Sequence, residues 1–179
     1  CSRREIDLLI QHPAVKGVSF VGSTPVGRII YEKAAVNGKR VQILCGAKNH
    51  ALVMEDAALE QSARAIINAS FGCAGERCMA LPVVVVQESI ADKLVSLIKE
   101  FAQSRVVGPA YDKKSEMGPV ISADHKENVI GWINKGIEEG ASLVLDGRDI
   151  VVKGYENGFY IGPTILDHVE PGMTVGDEE

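Results

Sequence analysis

The feature that most constrains the fold is an alternation of short β-branched runs with longer segments of helical spacing. Gly17 to Val21 (GVSFV) reads as a buried strand and Arg40 to Leu44 (RVQIL) as a second. Between them, Gly22-Ser23-Thr24-Pro25 turns the chain into a helix running to about Ala35, and Asn37-Gly38 closes it. Ser23 or Thr24 is placed to cap that helix, and Pro25 suits its first turn, where a missing N–H costs nothing. Strand, helix, strand is the unit of parallel sheets, because parallel neighbours need a long crossover.

The same rhythm continues downstream. Residues 51–54 are expected as a short strand, and Leu59 to Phe71 as a helix with Ala63, Ile66, Ile67 and Ser70 on one face. Residues 82–87 read as a strongly β-branched strand, and 90–103 as an amphipathic helix with Leu94, Leu97, Ile98 and Phe101 inward. Ser122 caps a helix to about Glu139, ended by Gly140, and Ser142 to Leu145 is a strand. Residues 150–152 look hairpin-like, and 159–161 and 164–166 extended. Upstream, Arg3 to Gln11 is a short helix packed on one side through Ile6, Leu8, Leu9 and Ile10; it stops at His12-Pro13, since the residue before proline is pushed out of the helical region. The fold class is α/β, an open, mainly parallel sheet flanked by helices.

Composition narrows the function. The net charge of −5 comes with no basic stripe, which argues against nucleic acid. No apolar run approaches the ~20 residues that span a bilayer. The four cysteines, Cys1, Cys45, Cys73 and Cys78, have no zinc spacing, and His12, His50, His125 and His168 do not cluster with them, so no metal is expected. Free thiols in a chain of this size suggest a reducing compartment.

Chemistry concentrates in residues 71–80, Phe-Gly-Cys-Ala-Gly-Glu-Arg-Cys-Met-Ala, which lie between a helical pattern and a strand pattern. A cysteine in such a Gly-containing turn is well placed to be reachable. Cys78 is either a nucleophile or, as free cysteines often are, inert packing. A Cys73–Cys78 redox pair is a third option. The turn of residues 22–27 is either an anion site, built on backbone N–H groups and the helix dipole, or merely a capped helix. It is not the GxGxxG dinucleotide fingerprint.

The pattern Phe71-Gly72-x-x-Gly75-Glu76-x-Cys78 resembles the nucleophile signature of the aldehyde dehydrogenase superfamily. Arg77 before the cysteine and Met79-Ala80 after it resemble its CoA-acylating methylmalonate-semialdehyde branch. Gly22-Ser23-Thr24-Pro25-Val26-Gly27 resembles the family's cofactor loop, Gly46-Ala47-Lys48-Asn49-His50 its Leu-Gly-Gly segment, and Gly154-Tyr155-Glu156-Asn157-Gly158 with Gly162-Pro163-Thr164 a later strand region. The similarity runs along essentially the whole chain, in the family's order.

The resemblance implies NAD as cofactor, with Gly22, Ser23 and Gly27 at its binding loop, Cys45 near the nicotinamide, and Glu179 on the nicotinamide ribose. It implies residues 1–43 as the tail of an NAD-binding domain and 44–179 as a truncated catalytic domain, so that the chain is part of a longer protein. Cys78 would be the nucleophile, passing through a thioester. Arg77, unless it is a plain surface charge, would hold a substrate carboxylate, because guanidinium pairs with carboxylates bidentately. The family's side-chain oxyanion donor, an asparagine, falls upstream.

Hydrolytic members carry a glutamate before Leu-Gly-Gly. Here the residue before Leu44 is Ile43, which cannot activate water. That favours thioester transfer to CoA, unless another carboxylate such as Glu76 substitutes. The expected reaction is oxidation of malonate or methylmalonate semialdehyde to acetyl- or propionyl-CoA with loss of CO2. Other hydrolytic or acylating aldehyde dehydrogenases, and a non-catalytic fragment, remain as alternatives. The expected partners are the semialdehyde and CoA, with no nucleic acid and no membrane. The full-length protein is expected as a homo-oligomer, dimer or tetramer, in the cytoplasm or, in a eukaryote, the mitochondrial matrix.

Overall fold

The computed structural model describes residues 3–178, in two compact units divided between Ala47 and Lys48. In the first unit, α1 (Arg3–Gln11) precedes β1 (Gly17–Val21), α2 (Thr24–Val36) and β2 (Arg40–Leu44). The two strands pair in parallel, Gly17 opposite Arg40 through Val21 opposite Leu44. Ile10, Ile30 and Ala34 form the buried core, with Val18, Phe20, Val41 and Ile43 packed on it.

Both strands alternate exposed and half-buried residues, so β1 is covered on one face only rather than buried as its apolar run suggests. The period-2 geometry of a strand sends Val21 and Leu44 to the open face, 66% and 53% exposed. In α1 the expected apolar stripe contributes a single buried residue, Ile10, while Leu8 and Leu9 are exposed.

The second unit begins with β3 (His50–Val53), followed by α3 (Leu59–Phe71) and β4 (Val83–Val86), again parallel, with His50 opposite Val83. A 3₁₀ turn (Glu88–Ile90) leads into α4 (Ala91–Gln103). Helices α3 and α4 bury Ala63, Ile66, Ile67, Leu94, Ile98 and Ala102 with Val53 of β3. Of the residues that helical spacing selects, Ala63, Ile66, Ile67, Leu94 and Ile98 are buried and Ser70, Leu97 and Phe101 are half-buried; Ala102, which it does not select, is buried.

Next come α5 (Ala123–Glu138), β5 (Ser142–Leu145), β6 (Ile165–Asp167) and the short α6 (Thr174–Asp177). Ser122 caps α5 by accepting from the His125 N–H at 3.1 Å. β5 and β6 are antiparallel, with an irregularity between Leu143 and Leu145. The strands of the described residues are thus paired in twos, two pairs parallel and one antiparallel. Residues 150–152 form no strand; turns closed by Tyr155 N–H to Val152 O and Gly158 N–H to Tyr155 O occupy that region. α6 is tied back to α5 by Glu139, whose carboxylate accepts from the Thr174 hydroxyl and from its N–H. These bonds, the hydroxyl's first, hold the Glu139 carboxyl below the usual glutamate range.

Among the described residues no helix is long and apolar enough to cross a membrane, and no group of three or more His, Cys, Asp or Glu side chains is arranged to hold a metal ion.

Candidate active site

Cys78 sits in a tight turn between α3 and β4, closed by the Ala80 N–H donating to the Arg77 carbonyl at 2.9 Å. Its thiol is free and exposed. Two side chains pin the turn. Asn49 Nδ2, at the entrance to β3, donates to the carbonyl oxygens of Cys78 (2.9 Å) and Ala80 (2.8 Å). The Ser70 hydroxyl, in the last turn of α3, donates to the Leu81 carbonyl at 2.6 Å. The Cys78 N–H is taken by no protein acceptor among the described residues.

The approach to the turn is strained. Cys73 (φ 52°, ψ 41°) and Ala74 (φ 54°, ψ 27°) are both left-handed, and Gly75 follows at φ 79°. Each left-handed non-glycine residue costs roughly 1–2 kcal/mol, so the surroundings must fix this path. Ala74 packs on the cluster of Val120, Ile133 and Ile161. Glu76 accepts from the Ile121 N–H at 3.1 Å, and its carboxylate lies 3.2 Å from His125 Nε2 at the start of α5.

Arg77 is exposed, but its guanidinium is not loose. Nε donates to Cys73 Sγ at 3.3 Å. The guanidinium also lies over Gly72, with Nη1 only 2.7 Å from where a Cβ on that residue would stand.

The other expected residues belong to the first unit. Ser23 occupies the N-cap of α2 with a β-region backbone, yet its hydroxyl makes no capping bond. An N-cap side chain normally reaches the N–H of the second or third helical residue, and the second is Pro25, which has none. Ser23 is therefore a donor or acceptor in waiting at a helix N-terminus. Gly22 behaves differently from the expectation of an open phosphate-facing N–H, because its N–H donates to Leu44 O at 3.2 Å. Its missing side chain makes room for the Phe20 ring, 2.6 Å from a would-be Cβ. Gly27 is buried, and a Cβ there would meet Cys45 Sγ at 2.3 Å and Ile43 Cγ2 at 2.7 Å. Cys45 thus fills the space that Gly27 leaves. Glu179 lies outside the described residues.

Ile43 packs into the core of the first unit. A carboxylate at that position would be half-buried among Phe20, Val41 and Ile30 and poorly placed to handle water. By strand alternation the accessible position at the end of β2 is Leu44, equally unable to take a proton. Sequence reasoning missed Asn49 and the Cys73–Arg77 contact. Asn49 stands inside the Gly-Ala-Lys-Asn-His segment, but nothing in its spacing tells which carbonyls it meets. The left-handed Cys73 and Ala74 had no glycine to announce them.

Comparison with known proteins bears on this arrangement. The profile of the aldehyde dehydrogenase family matches residues 2–179. Malonate-semialdehyde dehydrogenase 3 of Bacillus cereus is 52% identical over 172 residues, covering 96% of this chain and 35% of the relative; its namesake in Geobacillus kaustophilus gives the same figures. The chain therefore spans about a third of the length of the curated relatives it matches. The crystal structure of methylmalonate-semialdehyde dehydrogenase from Oceanimonas doudoroffii superposes with a TM-score of 0.95 at 47% identity, over 99% of this chain and 37% of that one. A structure from Sinorhizobium meliloti 1021, complexed with NAD, gives 0.94 at 45% identity, over 98% and 36%.

Proposed function

The chain belongs to the aldehyde dehydrogenase family, and from that premise we propose that it supplies the nucleophile-bearing part of an NAD-dependent, CoA-acylating malonate- or methylmalonate-semialdehyde dehydrogenase. The observation that carries this reading is an exposed Cys78 on a turn held by Asn49, with Arg77 beside it and no carboxylate at Ile43 or Leu44.

In this reading the Cys78 sulfur adds to the aldehyde carbonyl carbon and the oxygen becomes an alkoxide. The uncommitted Cys78 N–H is the oxyanion donor this chain supplies. Arg77 pairs with the substrate carboxylate. Once the thioester has formed, the bond from that carboxylate to the α-carbon breaks and CO2 leaves. The electron pair passes into the thioester enolate, whose α-carbon takes a proton from water. NAD, when bound, supplies the acceptor for the hydride leaving the former aldehyde carbon. What remains on Cys78 is a thioester. The CoA thiolate attacks its carbonyl carbon, the bond to Cys78 breaks, and the cysteine returns as thiolate. With no base at Ile43 or Leu44, water is the poorer competitor.

The residues of the first unit fit a dinucleotide's phosphates in part. The N-terminus of the thirteen-residue α2 and the spare Ser23 hydroxyl suit an anion, the helix dipole contributing roughly 0.3–1 kcal/mol. Gly22, Gly27 and Cys45 would act by shaping the backbone beneath it rather than by donating. Resemblance assigns the remaining oxyanion and ribose contacts to residues upstream and to Glu179, so this chain alone is expected to be inactive; separately, the full-length enzyme is expected to be a homo-oligomer. Its free cysteines suit a reducing compartment such as the cytoplasm.

A hydrolytic enzyme using Glu76 as base is the second reading. The engagement of Glu76 with the Ile121 N–H and His125 weighs against it, since that carboxylate already has donors to satisfy. The test is steady-state NADH formation by the full-length enzyme carrying this sequence, with malonate semialdehyde as substrate. The proposal expects turnover only when CoA is present; sustained turnover without CoA would select the hydrolytic reading.

A further inference from the structure

Arg77 could hold a substrate carboxylate only if its fork were aimed, and a long exposed arginine ordinarily is not. Rotamer freedom and hydration both oppose a single orientation. Here two neighbours restrict that freedom. Cys73 Sγ accepts from Arg77 Nε at 3.3 Å. The guanidinium rests on Gly72, where a Cβ would stand 2.7 Å from Nη1 and 3.2 Å from Cζ.

The backbone explains why Cys73 can do this. Its left-handed conformation, followed by left-handed Ala74 and Gly75, folds residues 72–75 under the side chain four positions on. A guanidinium has five N–H donors in a planar fork. The sulfur takes the one on Nε, and no other hydrogen bond or ion pair engages the Arg77 guanidinium among the described residues. The Nη1–Nη2 edge is left for a bidentate partner, the geometry that carboxylates favour.

The geometry points to Gly72 and Cys73 as positioning residues that set the preference for carboxylate-bearing aldehydes by aiming Arg77. This rests on the reading of Arg77 as the substrate's carboxylate partner. A thiol is a weak acceptor, so the effect is orientation rather than anchoring. Its loss is worth about one ordinary hydrogen bond, roughly 3- to 10-fold in KM.

The test compares malonate semialdehyde with propanal, which lacks the carboxylate, in the full-length enzyme carrying this sequence. Cys73→Ala is expected to raise KM for the semialdehyde roughly 3- to 10-fold, leaving its kcat and both constants for propanal unchanged. Cys73→Ser keeps an acceptor and is expected to restore most of the difference. Gly72→Ala, which pushes the guanidinium off its seat, is expected to act as Cys73→Ala does. If Cys73→Ala leaves the semialdehyde KM unchanged, or weakens both substrates equally, the positioning role is overturned. Arg77→Gln separates the two ideas. If it too spares the semialdehyde KM, the carboxylate reading of Arg77 itself has failed; if it raises KM while Cys73→Ala does not, only the positioning role has.

Discussion

Asn49 is the side chain that holds the Cys78 turn most visibly, because one amide nitrogen spans the carbonyls of Cys78 and Ala80. The two bonds fix the plane of the peptide that follows Cys78 and hence the position of the backbone that carries its sulfur. Removing them costs roughly 1 kcal/mol each in stability, and small misplacements of a reacting atom cost more in rate than in stability. Asn49→Ala in the full-length enzyme is therefore expected to lower kcat by about 10-fold or more with Cys78 intact. Asn49→Asp should be worse, since it sets a carboxylate against two carbonyl oxygens. Stopped-flow or steady-state NADH formation measures both, and a kcat within about twofold of the parent for both variants would remove Asn49 from the account. Residue identity was legible here and residue partnership was not. Cys78 and Arg77 stood out from the motif, whereas the partners of Asn49, Glu76 and Cys73 depend on backbone angles at Cys73 and Ala74 that no propensity announces.

The elements themselves were largely legible, because helical and strand periods follow directly from where side chains must point. Helices α3 and α4 bury five of the eight residues their spacing selects and leave Ser70, Leu97 and Phe101 half-buried. The failures came from context. GVSFV is apolar enough for a buried strand, yet α1 and α2 cover one face of β1 and leave the other open. Ile43 and Leu44 show the consequence: their order in the sequence nominates Ile43 as the missing base position, while strand alternation turns that side chain into the core.

The same unit offers a test of how α2 sits on β2. Gly27 exists where Cys45 Sγ and Ile43 would meet any side chain. Gly27→Ala is expected to destabilise the unit by about 1–3 kcal/mol through overpacking. Adding Cys45→Ala should recover much of that loss, because the closer clash is with the sulfur. Urea denaturation of the single and double variants reads the coupling, and strictly additive losses would show that the glycine is not there to admit Cys45.

At the scale of the whole molecule, the chain holds two units whose chemistry differs: a helix N-terminus with a spare hydroxyl in one, a strained loop presenting a thiol in the other. Matches at about half identity cover nearly all of this chain and about a third of each relative. In the proposed reading, this chain supplies the nucleophile, Cys78, and carries no water-activating carboxylate at the end of β2. Both should leave a mark on the reaction's intermediate. The direct measurement is mass spectrometry of the full-length enzyme, quenched after reaction with malonate semialdehyde and NAD without CoA. The account predicts an acyl group on the peptide containing Cys78, persisting until CoA is added and then discharged. An acyl group on Cys73 or Cys45, or none on any cysteine while NADH accumulates, would contradict it.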